Sequence, residues 1–193
     1  PDLLEHMSTC KSPQQMLGAV AKTYYAKKEG IDANKIVSVA IMPCTAKKFE
    51  ASRGEMNSAG ITAGNPELRD VDFVLTTREL ARMIKRQRIN FTKLEPQPYD
   101  SLMGEGTGAA VIFAASGGVM EAAVRSGYYL LTNENPPEAL YNLTAVRGLQ
   151  GVKEASLEIP GVGELRVAVS HGLSNARQLL DQIREDKKAG REP

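Results

Sequence analysis

Three stretches of this chain repeat one order: an apolar segment, a turn and a helical segment. The apolar segments KIVSVAIMP, DVDFVLTT and AAVIFAAS occupy residues 35–43, 70–77 and 109–116. Short segments that are apolar on both faces are typical of strands buried in a parallel sheet, and the helices between them serve as crossovers. The pattern therefore predicts an α/β fold with a mainly parallel sheet and flanking helices.

Local signals predict where several helices and one hairpin lie. Residues 12–30 form a predicted helix, because Ser12 suits the N-cap, Pro13 the first helical position and Gly30 the end. Thr76 and Glu79 have capping-box spacing at the start of the next clear helix. Residues 152–170 alternate around a proline–glycine turn, which predicts a C-terminal β-hairpin followed by a helix.

Two glycine-rich segments are predicted to be loops. They are GEMNSAGITAGNPELRD, residues 54–70, and EPQPYDSLMGEGTGAA, residues 95–110. Long loops near strand ends are common sites of function.

Size and charge narrow the class of protein. A length of 193 residues is enough for one substantial domain or two small lobes. A formal net charge of +1 offers no electrostatic case for a nucleic-acid partner. No apolar run approaches the roughly 20 residues of a membrane-spanning helix.

The two cysteines suggest a reducing compartment and fall short of a complete metal site. Cys10 and Cys44 are predicted to be free thiols, which favours the cytoplasm, although a periplasmic protein stays open. Cys10 is interpreted as a packing residue. Two thiols are fewer than the roughly four that an iron–sulfur cluster takes.

Cys44 is the strongest candidate for chemistry. It lies directly after an apolar strand and before a helical segment, where ligands of open α/β sheets bind. The helix start and Lys47, three residues on, would stabilise a thiolate there. The alternative is a buried, inert cysteine beside solvated lysines, and position alone does not separate the two.

Two other features carry weaker signals. Gly117 and Gly118 follow an apolar segment and are interpreted as a tight turn rather than an anion site. His171 ends the last predicted strand and would serve as a base for Cys44 in an unrelated α/β enzyme. A polar residue at a strand end is the favoured interpretation, since no third orienting group is identifiable.

Four blocks together resemble a known family. IMPCTAKKFEASR resembles the middle cysteine motif of iron–iron hydrogenases, in the C-terminal domain of the large subunit. STCKSPQQMLGAVAKTYYA, RDVDFVLTTRELARMI and FAASGGVMEAAVRSGYYL resemble the same family, in the same order and at similar spacing. Ala114 departs from the pattern, since a glycine is common there.

The resemblance implies a cofactor and a set of site residues. The family's H-cluster joins a 4Fe–4S cubane to a two-iron centre that carries carbon monoxide and cyanide. Cys44 matches a cubane ligand, Lys47 matches a lysine that interacts with a cyanide, and Ser8 matches a proton-relay serine. The remaining matches line the pocket: Met42, Pro43, Ser12, Pro13, Gln14 and Phe113.

The resemblance also implies that residues 1–193 are an internal fragment of the catalytic domain. The family's first and last cysteine motifs would lie outside this stretch. The fragment alone is therefore expected to be cluster-free, inactive and prone to self-association, while ferredoxin or NAD(P)-linked subunits would be partners of the whole protein. The alternative within the same resemblance is an iron–sulfur relative of the cytosolic cluster-assembly type, although TAKKFE and TTREL favour a hydrogenase.

Overall fold

The computed structural model describes residues 2–4, 7–138, 144–145 and 151–191. The chain divides into two compact units. The N-terminal unit is Leu4–Gly104, and the C-terminal unit combines Pro1–Leu3 with Glu105–Pro193.

The described residues of the N-terminal unit form two strands and five helices, joined by short turns. In chain order they are α1 (Pro13–Val20), a π-helical turn (Ala21–Tyr25), α2 (Ala26–Lys28), a 3₁₀ turn (Ala33–Lys35), β1 (Val39–Met42), α3 (Ala46–Ser52), α4 (Ser58–Ala63), β2 (Phe73–Thr76), α5 (Thr77–Arg86) and a second 3₁₀ turn (Phe91–Lys93).

The two predicted strands of this unit form a parallel pair. β1 and β2 run side by side from the Val39–Phe73 pair to the Met42–Thr76 pair, so both strands end at one sheet edge. The prediction that these strands are buried on both faces of the sheet, however, is wrong. Val39 and Phe73 are 49% and 60% exposed, whereas Val74 on the other face is buried. With two strands in this sheet, only one face carries packed side chains.

The first helix follows the prediction closely. The Ser12 side chain accepts a hydrogen bond from the Gln15 backbone N–H, Pro13 begins α1, and Gly30 has a left-handed backbone after α2. A π-helical turn connects α1 to α2, so the helical path runs on through Lys28.

The predicted loop at residues 54–70 is partly wrong, because it contains α4. Asp70 explains the difference. Its carboxylate accepts hydrogen bonds from the Ser58 and Ala59 backbone N–H groups, at 3.1 and 2.8 Å. These N–H donors at a helix start need acceptors, and Asp70, 11 and 12 positions further along the chain, supplies both. The other predicted loop has no helix or strand from residue 95 to 107.

The C-terminal unit contains α6 (Gly108–Ile112), α7 (Gly118–Thr132), β3 (Thr144–Ala145), β4 (Val152–Ile159), β5 (Gly163–Ser170) and α8 (Leu173–Lys188). The predicted strand at residues 109–116 is wrong, because these residues form α6 and a tight turn. The alanine-rich sequence favours a helix. The turn also brings Gly118 so close to Ile112 that a Cβ there would overlap the Ile112 carbonyl oxygen. Among the described strands, parallel pairing is therefore confined to β1 and β2.

The C-terminal hairpin is confirmed. β4 and β5 pair in antiparallel register from Val152–Ser170 to Ile159–Gly163, and β3 adds a third antiparallel strand. Leu157 and Ile159 are buried against Val124 and Tyr128 of α7. The predicted α/β class is confirmed, as a mixture of helices with small sheets.

Within the described part of the chain, none of the helices has the length and hydropathy needed to cross a bilayer.

Candidate functional site

Cys44 lies at the sheet edge where the parallel strands end. It follows Met42, the last residue of β1, by two positions, and α3 begins two residues later at Ala46. Its thiol is free and exposed, so the interpretation as a buried core cysteine is wrong. Cys10 is also free and exposed, which corrects its interpretation as a packing residue.

A hydrogen-bonded group joins the start of α1 to α3, the helix that follows Cys44 in the chain. We call Ser12, Gln14, Lys47 and Glu50 the Lys47 cluster. Lys47 Nζ lies 2.8 Å from Glu50 Oε2, and the Ser12 hydroxyl donates to the same oxygen at 3.0 Å. Gln14 Nε2 donates to the Lys47 carbonyl at 3.4 Å. Lys47 thus comes together with Ser12 and Gln14, which lie 35 and 33 positions before it in the sequence.

Glu50 is the member of this cluster that the sequence prediction missed. Burial of the side chain works to raise the pKa of Glu50, but the hydrogen bonds from Lys47 and Ser12 outweigh it and lower the pKa below 4.5. Glu50 is therefore a carboxylate at neutral pH and forms a true ion pair with Lys47. The spacing of three residues between Lys47 and Glu50 was the available signal.

Buried amide groups lie at the start of α1. Gln14 and Gln15 are 7% and 0% exposed. Among the described residues, Gln14 Oε1 and both amide atoms of Gln15 have no hydrogen-bond partner. Unsatisfied buried polar groups are costly, and they are expected where a ligand or water completes the structure. Gln14 is the one of the two that also bonds the Lys47 backbone.

Two lysines brace α1 from outside the cluster. Lys11 Nζ contacts Ser58 Oγ at 2.6 Å and Asp70 Oδ2 at 3.2 Å, just before α1 begins. Lys22 has a fully buried side chain, and its Nζ lies 2.6 Å from Asp72 Oδ2. These ion pairs connect the helix to the segment that leads into β2.

The adjacent lysines on α3, Lys47 and Lys48, have different partners, because neighbouring residues on a helix point in different directions. Lys48 Nζ contacts Glu79 Oε2 at 2.8 Å, while Lys47 pairs with Glu50. Glu79 also completes the predicted capping box with Thr76, which is confirmed. Hydrogen bonds from Lys48 and Thr76 lower the pKa of Glu79 to about 2.

The structure does not join the other predicted site residues to the Lys47 cluster by any hydrogen bond among the described residues. Ser8 is exposed, and its hydroxyl accepts from the Cys10 backbone N–H at 3.1 Å. Pro13 and Pro43 are exposed, and Met42 is half-buried. Phe113 directly follows α6 in the C-terminal unit and is 41% exposed. The roles predicted for these residues stay predictions.

His171 has a partner that the sequence prediction did not identify. Its Nδ1 lies 2.5 Å from the Ser116 hydroxyl within the C-terminal unit, and the Asn175 side chain donates to its backbone carbonyl. This pair ties the end of β5 to the turn between α6 and α7. It offers a structural role for His171 in place of a base for Cys44.

Cys44 and the Lys47 cluster offer part of the ligand set of a metal cofactor rather than a whole one. In the described residues, no group of three or more His, Cys, Asp or Glu side chains is placed to hold a metal ion. Cys44 offers one exposed thiol, Lys47 a cation, and Gln14 a buried amide oxygen that lacks a donor. Cys44 could therefore serve as one metal ligand, while Lys47 and Gln14 could provide polar contacts to an anionic cofactor.

Comparison with known proteins identifies the class. The family model described as iron only hydrogenase large subunit, C-terminal domain, matches residues 1–191. The chain therefore belongs to this family.

Similar proteins include two hydrogenase subunits. The periplasmic [Fe] hydrogenase large subunit of Nitratidesulfovibrio vulgaris is 48% identical over the whole chain, which spans 42% of that protein. The NADP-reducing hydrogenase subunit HndD of Solidesulfovibrio fructosivorans is 49% identical over 93% of the chain, which corresponds to 29% of that subunit. The mouse protein named cytosolic iron-sulfur assembly component 3 is 31% identical. The chain thus spans less than half the length of these relatives.

A solved structure confirms the fold. The apo [FeFe]-hydrogenase HydA1 from Chlamydomonas reinhardtii superposes with a TM-score of 0.74 at 38% identity, covering 97% of this chain and 52% of that one.

Proposed function

We propose that this chain is part of the catalytic domain of an iron-only hydrogenase, which interconverts protons, electrons and H₂ at an H-cluster. The observation that carries the proposal is the family match over residues 1–191. The Lys47 cluster supports it, because it places a cation on α3, the helix that follows Cys44, and a buried amide of α1 against the backbone of that helix.

Within that function, Cys44 would supply one thiolate to the cubane, and Lys47 would donate to an anionic diatomic ligand of the two-iron centre. The bound cofactor would supply the redox chemistry and the open metal site. Met42 and Pro43 would restrict water, as apolar shells do around metals. The lining role that the resemblance implies for Phe113 stays a prediction. Ser8 would pass a proton towards the site through its exposed hydroxyl.

Residues 1–193 would be an internal piece of that domain, cluster-free and inactive alone. One thiolate cannot replace the roughly four that hold a cubane. The apolar face of Val39, Ile41 and Phe73 is exposed and would favour self-association.

The whole protein would exchange electrons with a ferredoxin or an NAD(P)-linked subunit. The similarity to an NADP-reducing hydrogenase subunit supports such a partner in general terms. The compartment is proposed to be the cytoplasm, with the periplasm as the alternative that the Nitratidesulfovibrio relative favours.

The second candidate is an iron–sulfur protein of the cytosolic cluster-assembly type. Relatives named cytosolic iron-sulfur assembly component 3 share 30–31% identity with the chain, against 48% for a hydrogenase subunit, so the hydrogenase is favoured. Membership of the family leaves no support for an unrelated α/β enzyme with a Cys44 nucleophile.

The test uses the full-length protein, matured anaerobically, with hydrogen evolution from a reduced dye as the readout. We expect activity in the wild type, its loss in Cys44→Ser, and its retention in the matched control Cys10→Ser. A wild type that carries the absorption of a 4Fe–4S cluster but evolves no hydrogen would favour the assembly protein instead.

A further inference from the structure

One carboxylate oxygen of Glu50 accepts hydrogen bonds from two separate parts of the N-terminal unit. Its Oε2 accepts from Lys47 Nζ at 2.8 Å, within α3, and from the Ser12 hydroxyl at 3.0 Å, at the start of α1. The Glu50 side chain is 16% exposed and that of Lys47 is 30% exposed. A carboxylate held from two sides and shielded from water cannot change its orientation freely.

Lys47 needs such a partner to stay in one place. A lysine side chain is long and flexible, and an ion pair on a helix surface holds it weakly unless the partner is itself fixed. Ser12 provides that fixation, because it is anchored as the N-cap of α1 and its hydroxyl donates to Glu50. Without Glu50, the partly exposed ammonium group would extend into solvent.

The pairing leaves Lys47 able to bind a second anion. An ammonium group has three N–H donors. Among the described contacts, Glu50 engages the ammonium through one carboxylate oxygen, and Gln14 contacts only the Lys47 backbone. The remaining donors are available to a ligand.

We propose that Glu50 is a positioning residue that holds the Lys47 ammonium in place, through a carboxylate fixed by Ser12, so that its remaining N–H groups can bind an anionic ligand of the cofactor. The identity of that anion rests on the proposed function. The positioning of Lys47 does not, so the two can be tested separately.

The first experiment uses the 193-residue chain without metal. The readout is hydrogen exchange of the Lys47 ammonium group, followed by NMR. We expect exchange to become about tenfold faster in Glu50→Gln, as for the loss of one charge-assisted hydrogen bond. Ser12→Ala should change it in the same direction, and Ser12→Thr, which keeps the hydroxyl, should behave as the wild type.

Glu55→Gln is the matched control, because it removes the same charge from an exposed pair with Arg53. It should leave Lys47 unchanged. If Glu50→Gln is folded by circular dichroism and Lys47 exchanges at the wild-type rate, the proposal is overturned. If Glu50→Gln does not fold, the Ser12→Ala and Ser12→Thr variants are compared instead. Equal rates of Lys47 ammonium exchange in these two variants would overturn the proposal.

The second experiment uses the matured full-length protein and its infrared cyanide bands. Glu50→Gln should shift these bands and lower hydrogen turnover, whereas Glu55→Gln should change neither. If the wild type evolves hydrogen and the cyanide bands of Glu50→Gln match those of the wild type, the positioning of Lys47 is refuted and the proposed function stands. If Lys47 exchanges more slowly in the wild type than in Glu50→Gln, but the matured full-length protein evolves no hydrogen, the positioning is supported and the proposed function is refuted.

Discussion

Replacing Asp70 by alanine should destabilise the N-terminal unit more than any exposed acidic substitution. Asp70 is fully buried, and its carboxylate accepts hydrogen bonds from Lys11 Nζ, Ser58 N and Ala59 N at 3.2, 3.1 and 2.8 Å. The alanine variant loses all three acceptor contacts. It also leaves the buried Ala59 N–H unsatisfied at the start of α4.

The expected cost is about 3–5 kcal/mol, the range for breaking a buried ion pair from one side. This is a large share of the roughly 5–15 kcal/mol that stabilises a typical domain. Lys11→Met should cost less, about 1–2 kcal/mol, because Lys11 is 24% exposed and the carboxylate keeps its two backbone donors.

Two measurements check the magnitude. Urea unfolding should show a midpoint lowered by about 1.5–2.5 M, for a slope near 2 kcal/mol per molar. Exchange of the Ala59 amide should become roughly 100-fold faster or more, since each 1.4 kcal/mol is a factor of ten. Asp32→Ala is the control, because Asp32 is exposed and, among the described residues, its side chain accepts hydrogen bonds from Asn34 in its own local turn. If Asp70→Ala costs no more than Asp32→Ala, the reasoning about this buried carboxylate is wrong.

Further predictions concern pH, packing, cofactor binding and turnover. Glu79 titrates near pH 2 because its folded pKa lies below the ordinary 4.5, so its contribution is present above pH 4.5 and disappears as pH falls towards 2. Carboxyl NMR should show this, and a titration midpoint near 4.5 would contradict it. Gly18→Ala should destabilise the chain in thermal melts, because its Cβ would overlap the Asp70 carbonyl oxygen, whereas Gly54→Ala, in open space, should not. Equal melting temperatures would refute this packing argument. Anaerobic reconstitution of the 193-residue chain should yield no stoichiometric 4Fe–4S cluster, and iron analysis that finds four irons per chain would disprove the fragment hypothesis. Lys47→Ala in the matured full-length protein should severely reduce hydrogen evolution without loss of fold, and wild-type turnover would remove its proposed role.

Elements whose signals are local were predictable from the sequence. The N-cap at Ser12 and the capping box of Thr76 and Glu79 depend on residues three positions apart. The hairpin at residues 152–170 follows from strand alternation around a short turn. In each case the stabilising hydrogen bonds join neighbours in the chain, so composition and spacing carry the information.

The position of the candidate site was predictable in part. Cys44 at the end of β1 follows from an apolar strand that ends in a polar segment, and its assignment as a ligand came from resemblance to a family. The exposure of Val39 and Phe73 was not predictable, because a residue's burial depends on what packs over the sheet face.

Only the tertiary structure decided the remaining features. α4 forms in a glycine-rich segment because the Asp70 carboxylate accepts hydrogen bonds from its first two amides. Glu50 gains its importance from Ser12, 38 positions away. These outcomes depend on contacts between residues far apart in sequence. Local propensity is too weak to settle such contacts, whereas buried hydrogen bonds and ion pairs are strong enough to decide between competing local conformations.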